Sequence, residues 1–109
     1  MRVLVVGASG TIGRAVVAEL GDRHDVVTVG RSSGDLRADM TDAESIRAMF
    51  DEAGSIDAVV SAAGHVKFAP FAEMDADGYE IGLRDKLMGQ VNLVLIGRDY
   101  VSEGGSFTL

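Results

Sequence analysis

The stretch Val3-Leu4-Val5-Val6-Gly7-Ala8-Ser9-Gly10-Thr11-Ile12-Gly13 decides how this chain is read. Val3 to Val6 is an unbroken β-branched and Leu run, which suits a strand buried on both faces of a parallel sheet. Three glycines follow at every third position. Beyond them Ile12, Val16 and Leu20 recur every four residues through a Pro-free stretch ending at Gly21, and this predicts a helix with one packed face. A glycine triplet at such a strand-to-helix join is a phosphate cradle. Gly7 permits the tight turn, Gly10 lets backbone N–H groups approach a diphosphate, and Gly13 lets the helix lie close to the sheet. The helix N-terminus favours an anion, and the Ser9 and Thr11 hydroxyls add donors beside Ile12. The competing reading is a turn whose Ser or Thr merely caps the helix; the agreement of strand, spacing and helix favours dinucleotide binding.

Working outward, Asp25 to Val29 reads as a second strand and Leu36 to Ala38 as a short third. Thr41 with Glu44 three residues on has the form of a capping box, and Ile46, Met49 and Phe50 mark one face of the helix that follows. Ile56 to Val60 is a fourth strand, closed by Ser61-Ala62-Ala63-Gly64. An irregular segment from His65 to Asp75 leads to a long helix from about Asp77 to Arg98, with Leu87, Val91, Val94 and Leu95 on one stripe. Gly104-Gly105 reads as a turn before a strand beginning at Ser106. Strands and helices alternate throughout, which implies right-handed βαβ crossovers. The expected fold is α/β: a Rossmann-type doubly wound parallel sheet, incomplete, of about five strands in the order 3-2-1-4-5, forming one domain over residues 1–109.

Composition narrows the function. At 109 residues one core hides roughly two-thirds of the unfolded surface. The 47% hydrophobic and 25% charged content is that of an ordinary folded protein. A net charge of −7 repels nucleic acid and anionic lipid, so a phosphate ligand must be held by local geometry. With no Cys, and His24 and His65 far apart, no metal site is expected. The opening apolar run is too short for a signal peptide and the run around Val91 to Ile96 too short for a membrane span. The expected location is cytoplasmic.

The residue just beyond the second strand faces the adenosine ribose, where an acid bonds the 2′-hydroxyl of NAD. Arg31-Ser32-Ser33 stands there instead. A guanidinium pairs a 2′-phosphate, with serine donors beside it, so NADP is expected in preference to NAD. Arg14, in the first turn of the first helix, is a weaker second candidate.

Loop, spacing and element order together resemble the short-chain dehydrogenases/reductases over essentially the whole chain. The Gly-x-x-Gly-x-x-Gly form is closest to atypical or extended members, since the best-known members carry Gly where Thr11 stands. The resemblance implies that Asp39 bonds the adenine amino group and that Met40 packs on the ring. It also implies that Ala62, Ala63 and Gly64, in place of the family's Asn-Ala-Gly, lie along the cofactor. Lys86 takes the place of the family's helix Asn, as a possible proton relay. His65 and Lys67 fall near the mouth of the expected active site. The family's catalytic Ser and Tyr-x-x-x-Lys have no counterpart up to Leu109: Leu83 stands four residues after Tyr79, and Gly104 four after Tyr100.

The reading is therefore the NADP-binding portion of an oxidoreductase that reduces a carbonyl or oxidises an alcohol when complete. Its expected partners are a small-molecule substrate and a second copy of itself in a dimer, with exposed apolar residues and a strand edge inviting association. The rival reading is a non-catalytic NADP-sensing regulatory protein. A methyltransferase is disfavoured by Arg31, and a P-loop hydrolase by the lack of Gly-Lys-Ser/Thr after the glycines.

Overall fold

The computed structural model describes residues 1–109. Five parallel strands, β1 (Arg2–Val6), β2 (Asp25–Gly30), β3 (Leu36–Arg37), β4 (Ile56–Ser61) and β5 (Val101–Thr108), lie in the order β3-β2-β1-β4-β5. The expected fold class and strand order are the ones found. Helices α1 (Thr11–Gly21), α2 (Ala43–Ala53), α3 (Ala76–Gly82) and α4 (Met88–Gly97) make the crossovers. A single turn of 3₁₀-helix, Phe71–Glu73, lies within the irregular segment before α3.

The central strand shows why a continuous apolar run was needed. Leu4 and Val6 join the larger core with Val27, Val29, Ile46, Met49, Phe50, Leu93 and Ile96, whereas Val3 and Val5 face the other way, toward Val16, Val17 and Leu20 of α1. A strand covered on both faces has no position left for a polar residue. Every buried side chain in the molecule is accordingly apolar.

Four details differ from expectation. Ile12 is 69% exposed, and the packed face of α1 is Val16, Val17 and Leu20. Thr41 does not cap α2: the cap is Asp42, whose carboxylate accepts from the Glu44 N–H at 3.0 Å, while the Thr41 hydroxyl donates to Asp39 Oδ1 at 2.7 Å. The nearby Asp39 acceptor captures the hydroxyl that the capping box required. Gly104-Gly105 is no turn between elements, because β5 runs from Val101 through both. Ile56 pairs with Val101 and Ala58 with Ser106, so the extra residues bulge out of the ladder, with Gly104 at φ 79°.

The fourth difference concerns the long helix. Its path is helical from Ala76 to Gly97, but Leu83–Leu87 is a π-helical turn that widens the winding between α3 and α4. The face of α4 that packs inward is Gly89, Leu93, Ile96 and Gly97. The stripe expected to be the packed face, Leu87, Val91, Val94 and Leu95, instead lines a shallow outer groove with Leu109. No helix is long and apolar enough to cross a membrane.

Three aspartates brace turns and strand ends. Asp35 accepts from the Thr28 N–H and hydroxyl, Asp39 from the Thr41 hydroxyl and N–H, and Asp57 from the Arg2 N–H and the Ser102 hydroxyl. These bonds favour the ionised form and hold all three carboxyls below the usual carboxylate range. A depressed folded value means stability that is fully present above the unfolded pKa, about 3.9, and is lost as pH falls through the folded values. Urea midpoints are therefore expected to hold steady down to about pH 5 and to decline below about pH 4. An Asp35→Asn chain should decline less steeply. A midpoint unchanged by acidification contradicts the assignment.

Candidate functional site

The glycine loop closes on itself before it closes on anything else. Gly7 takes a positive φ of 80°, and its N–H donates to the Val29 carbonyl at 2.9 Å. A Cβ there would stand 2.8 Å from the Ala62 backbone. The Gly10 N–H then donates to the Gly7 carbonyl at 3.1 Å, turning the chain into α1. At Gly13 a Cβ would lie only 1.9 Å from the Gly7 oxygen, so the first turn of α1 rests directly on the loop. Gly10 differs. Its Cβ would meet only the Gly7 oxygen at 3.5 Å, an ordinary contact, so no internal packing demands glycine there.

What Gly10 faces is a cleft of about 370 Å³ at the carboxyl ends of the strands, over the point between β1 and β4 where the sheet order reverses. Gly10 is also the N-cap residue of α1, and no side chain caps this end. By contrast Asp42 caps α2 and Asp75 caps α3, each through its carboxylate. The first-turn N–H groups of α1 thus lack the side-chain acceptor that the other two helices carry, the condition under which a helix end receives an external anion. This also removes the competing reading of the loop, since neither Ser9 nor Thr11 caps the helix.

Of the expected cofactor residues, Gly7, Ser9, Gly10, Arg31, Met40, Ala62, Ala63 and Gly64 line this cleft, joined by Val6, Val29, Gly30 and Ala38. Thr11, Ile12, Gly13, Ser32 and Asp39 do not. Gly13 lies beneath the loop, Thr11, Ile12 and Ser32 are exposed, and Asp39 is tied to the Thr41 hydroxyl. Arg31 stands at the β2 end, 71% exposed, with Nη2 3.5 Å from Asp39 Oδ1.

The opposite end is walled by His65 and Asp85. His65 was anticipated near this mouth; Asp85 was not. Its Oδ1 accepts from the His65 N–H at 3.1 Å and fastens the segment leaving β4 to the π-helical turn. The same segment runs antiparallel along one helix face. Gly64 lies under the Lys86 stem, where a Cβ would stand 2.8 Å from Lys86 Cγ; Val66 lies over Gly82 and Lys67 over Gly78. Positions 78, 82 and 86 are four apart, so two glycines and a lysine stem form one shallow track for this strap. The recurring glycines were the sequence signal for it. Lys86 itself does not line the cleft; its stem packs on Gly64, which does.

Comparison with known proteins places this geometry. Residues 3–100 match the model of the NAD dependent epimerase/dehydratase family. The chain belongs to that family. Its fold is that of the short-chain dehydrogenases/reductases, as the resemblance implied. A crystal structure of the protein lin1944 from Listeria innocua superimposes with a TM-score of 0.95 at 43% identity, covering 98% of this chain and 54% of that one. A small-chain dehydrogenase in complex with NADPH gives a TM-score of 0.86 at 22% identity over 98% of this chain and 48% of that one. A short-chain type dehydrogenase/reductase from Mycobacterium ulcerans gives 0.83 at 21%, covering 97% and 49% respectively. The chain spans about half the length of these structures. Among curated proteins none matches it.

Within this family framework the two tyrosines stand away from the cleft. Tyr100 stacks on Phe50 with ring centroids 5.2 Å apart, and its hydroxyl donates to Asp51. Its carbonyl accepts from the Ile56 N–H at the amino end of β4, opposite to the carboxyl end where the cleft opens. The Asp51 carboxylate holds the Tyr100 hydroxyl above its ordinary range, which suits a structural donor and not a proton carrier. Tyr79 lies on α3 with half its surface exposed.

Proposed function

We propose that this chain is the NADP(H)-binding portion of a short-chain dehydrogenase-like oxidoreductase. The observation that carries the reading is the uncapped N-terminus of α1, opening beside Gly7 and Gly10 into a cleft that Arg31 also lines. A diphosphate at Gly10 would take the free N–H groups and the positive end of the helix. Arg31 would meet the 2′-phosphate, and Met40 and the Ala62-Ala63-Gly64 backbone would flank the rest of the cofactor. Thr11, Ile12 and Ser32, exposed at the rim, are close enough in sequence to complete the contacts, while Gly13 supports the loop from below. When bound, the nicotinamide would carry the hydride between cofactor and a small carbonyl or alcohol substrate. The residues present here would bind and orient, and Lys86, whose stem packs on Gly64, would reach the cleft as a proton relay only by swinging its ammonium past that residue.

Titration of cofactor fluorescence tests this. NADPH is expected to bind more tightly than NADH, because the net charge of −7 gives a phosphate no general attraction and Arg31 must supply it locally. Arg31→Ala should cost about tenfold or more in NADPH affinity, the scale of a charge-assisted hydrogen bond, and leave NADH within about twofold. NADH binding more tightly than NADPH would overturn the assignment of Arg31.

A further inference from the structure

Arg31 is not free while it waits for a ligand. Its guanidinium stands 3.5 Å from Asp39 Oδ1, the one carboxylate it pairs with, across the ends of the neighbouring strands β2 and β3. Asp39 is the fixed member of the pair. Its Oδ1 accepts from the Thr41 N–H at 2.9 Å and from the Thr41 hydroxyl at 2.7 Å, and its own N–H donates to Ser45 Oγ at 2.9 Å. Side chain and backbone are thus both tied to the start of α2. Arg31, by contrast, is held by nothing else and is largely exposed.

We infer that Asp39 is a specificity-determining counter-charge, which parks the Arg31 guanidinium at the cleft rim and competes with a cofactor 2′-phosphate for it. The inference rests on the NADP reading above and sets its strength. A phosphate arriving at Arg31 must share or displace a carboxylate that Thr41 prevents from turning away, and it meets that negative charge at close range. An unphosphorylated ribose carries no charge for Asp39 to oppose. Asp39 therefore lowers the affinity for NADPH selectively and narrows the discrimination that Arg31 alone would give. The Thr41 bonds also favour the ionised form of this carboxyl.

The ratio of NADPH to NADH affinity isolates this effect. Whatever Asp39 does at the adenine base is common to both cofactors and cancels. Asp39→Asn keeps the shape and an oxygen for Thr41 while removing the charge, and is expected to raise the ratio about threefold or more, the scale of an exposed ion pair. Asp39→Ser should move it in the same direction, and a cooperative urea transition shows that each variant is folded. In the Arg31→Ala background the Asp39→Asn change should raise the ratio less than in the parent, because the guanidinium for which carboxylate and phosphate compete is gone. An Arg31→Ala chain with a lowered ratio, beside an Asp39→Asn chain whose ratio stays level or falls, overturns this inference and leaves the NADP reading standing. A parent chain binding both cofactors equally, with Arg31→Ala changing neither, overturns both.

Discussion

A Gly13→Ala chain is expected to lose about 3 kcal/mol or more of stability and its nucleotide binding with it. On propensity alone the change should help, since Ala is favoured over Gly in a helix by about 1 kcal/mol. Space decides the sign. The added Cβ would stand 1.9 Å from the Gly7 oxygen, 2.7 Å from the Gly7 carbonyl carbon and 2.9 Å from Ala8 Cα. All three are backbone atoms that no rotamer change can move. Relief requires α1 to lift from the loop, and that breaks the Gly10 N–H bond to the Gly7 carbonyl that opens the cradle. Gly21 provides the control: its Cβ would meet nothing within 4 Å, so Gly21→Ala should be neutral or slightly stabilising. Urea denaturation and NADPH titration of the two variants check this. A Gly13→Ala chain as stable as Gly21→Ala would show that the loop and helix are not in contact as described.

The second large effect is expected at Phe50. Its ring is fully buried, stacked on Tyr100, and packed so close to Gly97 that a Cβ there would lie 2.6 Å from Phe50 Cζ. Phe50→Ala deletes that ring and leaves a cavity that the surrounding α2, α4 and β5 cannot fill without moving as elements. Such deletions cost about 3–5 kcal/mol. Against a total of about 5–15 kcal/mol for a typical domain, this removes a large share of the stability. The loss should appear in the urea midpoint and as a lowered melting temperature. A shift of less than about 1 kcal/mol would mean that the core is not packed around this ring.

The site was readable to very different depths along the chain. Gly7 and Gly13 could be recognised because their demands are local: a positive φ, and a helix seated one turn after a strand. Arg31 could be placed at the cleft because strand order fixes that the loop after β2 stands beside the glycine loop. The inward face of α4 could not. The segment Met88–Gly97 is apolar on nearly every side, so periodicity chose Leu87, Val91, Val94 and Leu95, whereas the buried face is Gly89, Leu93, Ile96 and Gly97, half of it glycine that carries no hydrophobic signal. Asp85 was hidden for a related reason. A π-helical turn rotates it toward His65, and no residue pattern announces that change of winding.

Thr41, Asp42 and Asp39 mark the boundary between the two kinds of knowledge. Thr41 and Asp42 are both good N-caps by chemistry, and sequence spacing alone favoured Thr41. The neighbouring carboxylate of Asp39 took its hydroxyl, which made Asp42 the cap and turned Asp39 toward Arg31. By itself the sequence determined the Rossmann order of strands and helices, the glycine loop and the basic residue after β2. Each of these follows from backbone geometry over a few neighbouring residues. Only the tertiary structure decided which face of α4 is buried, where the β4 exit strap lies, and which partner each side chain at the cleft rim holds. Those outcomes are competitions between groups distant in sequence, and distance in space settles them.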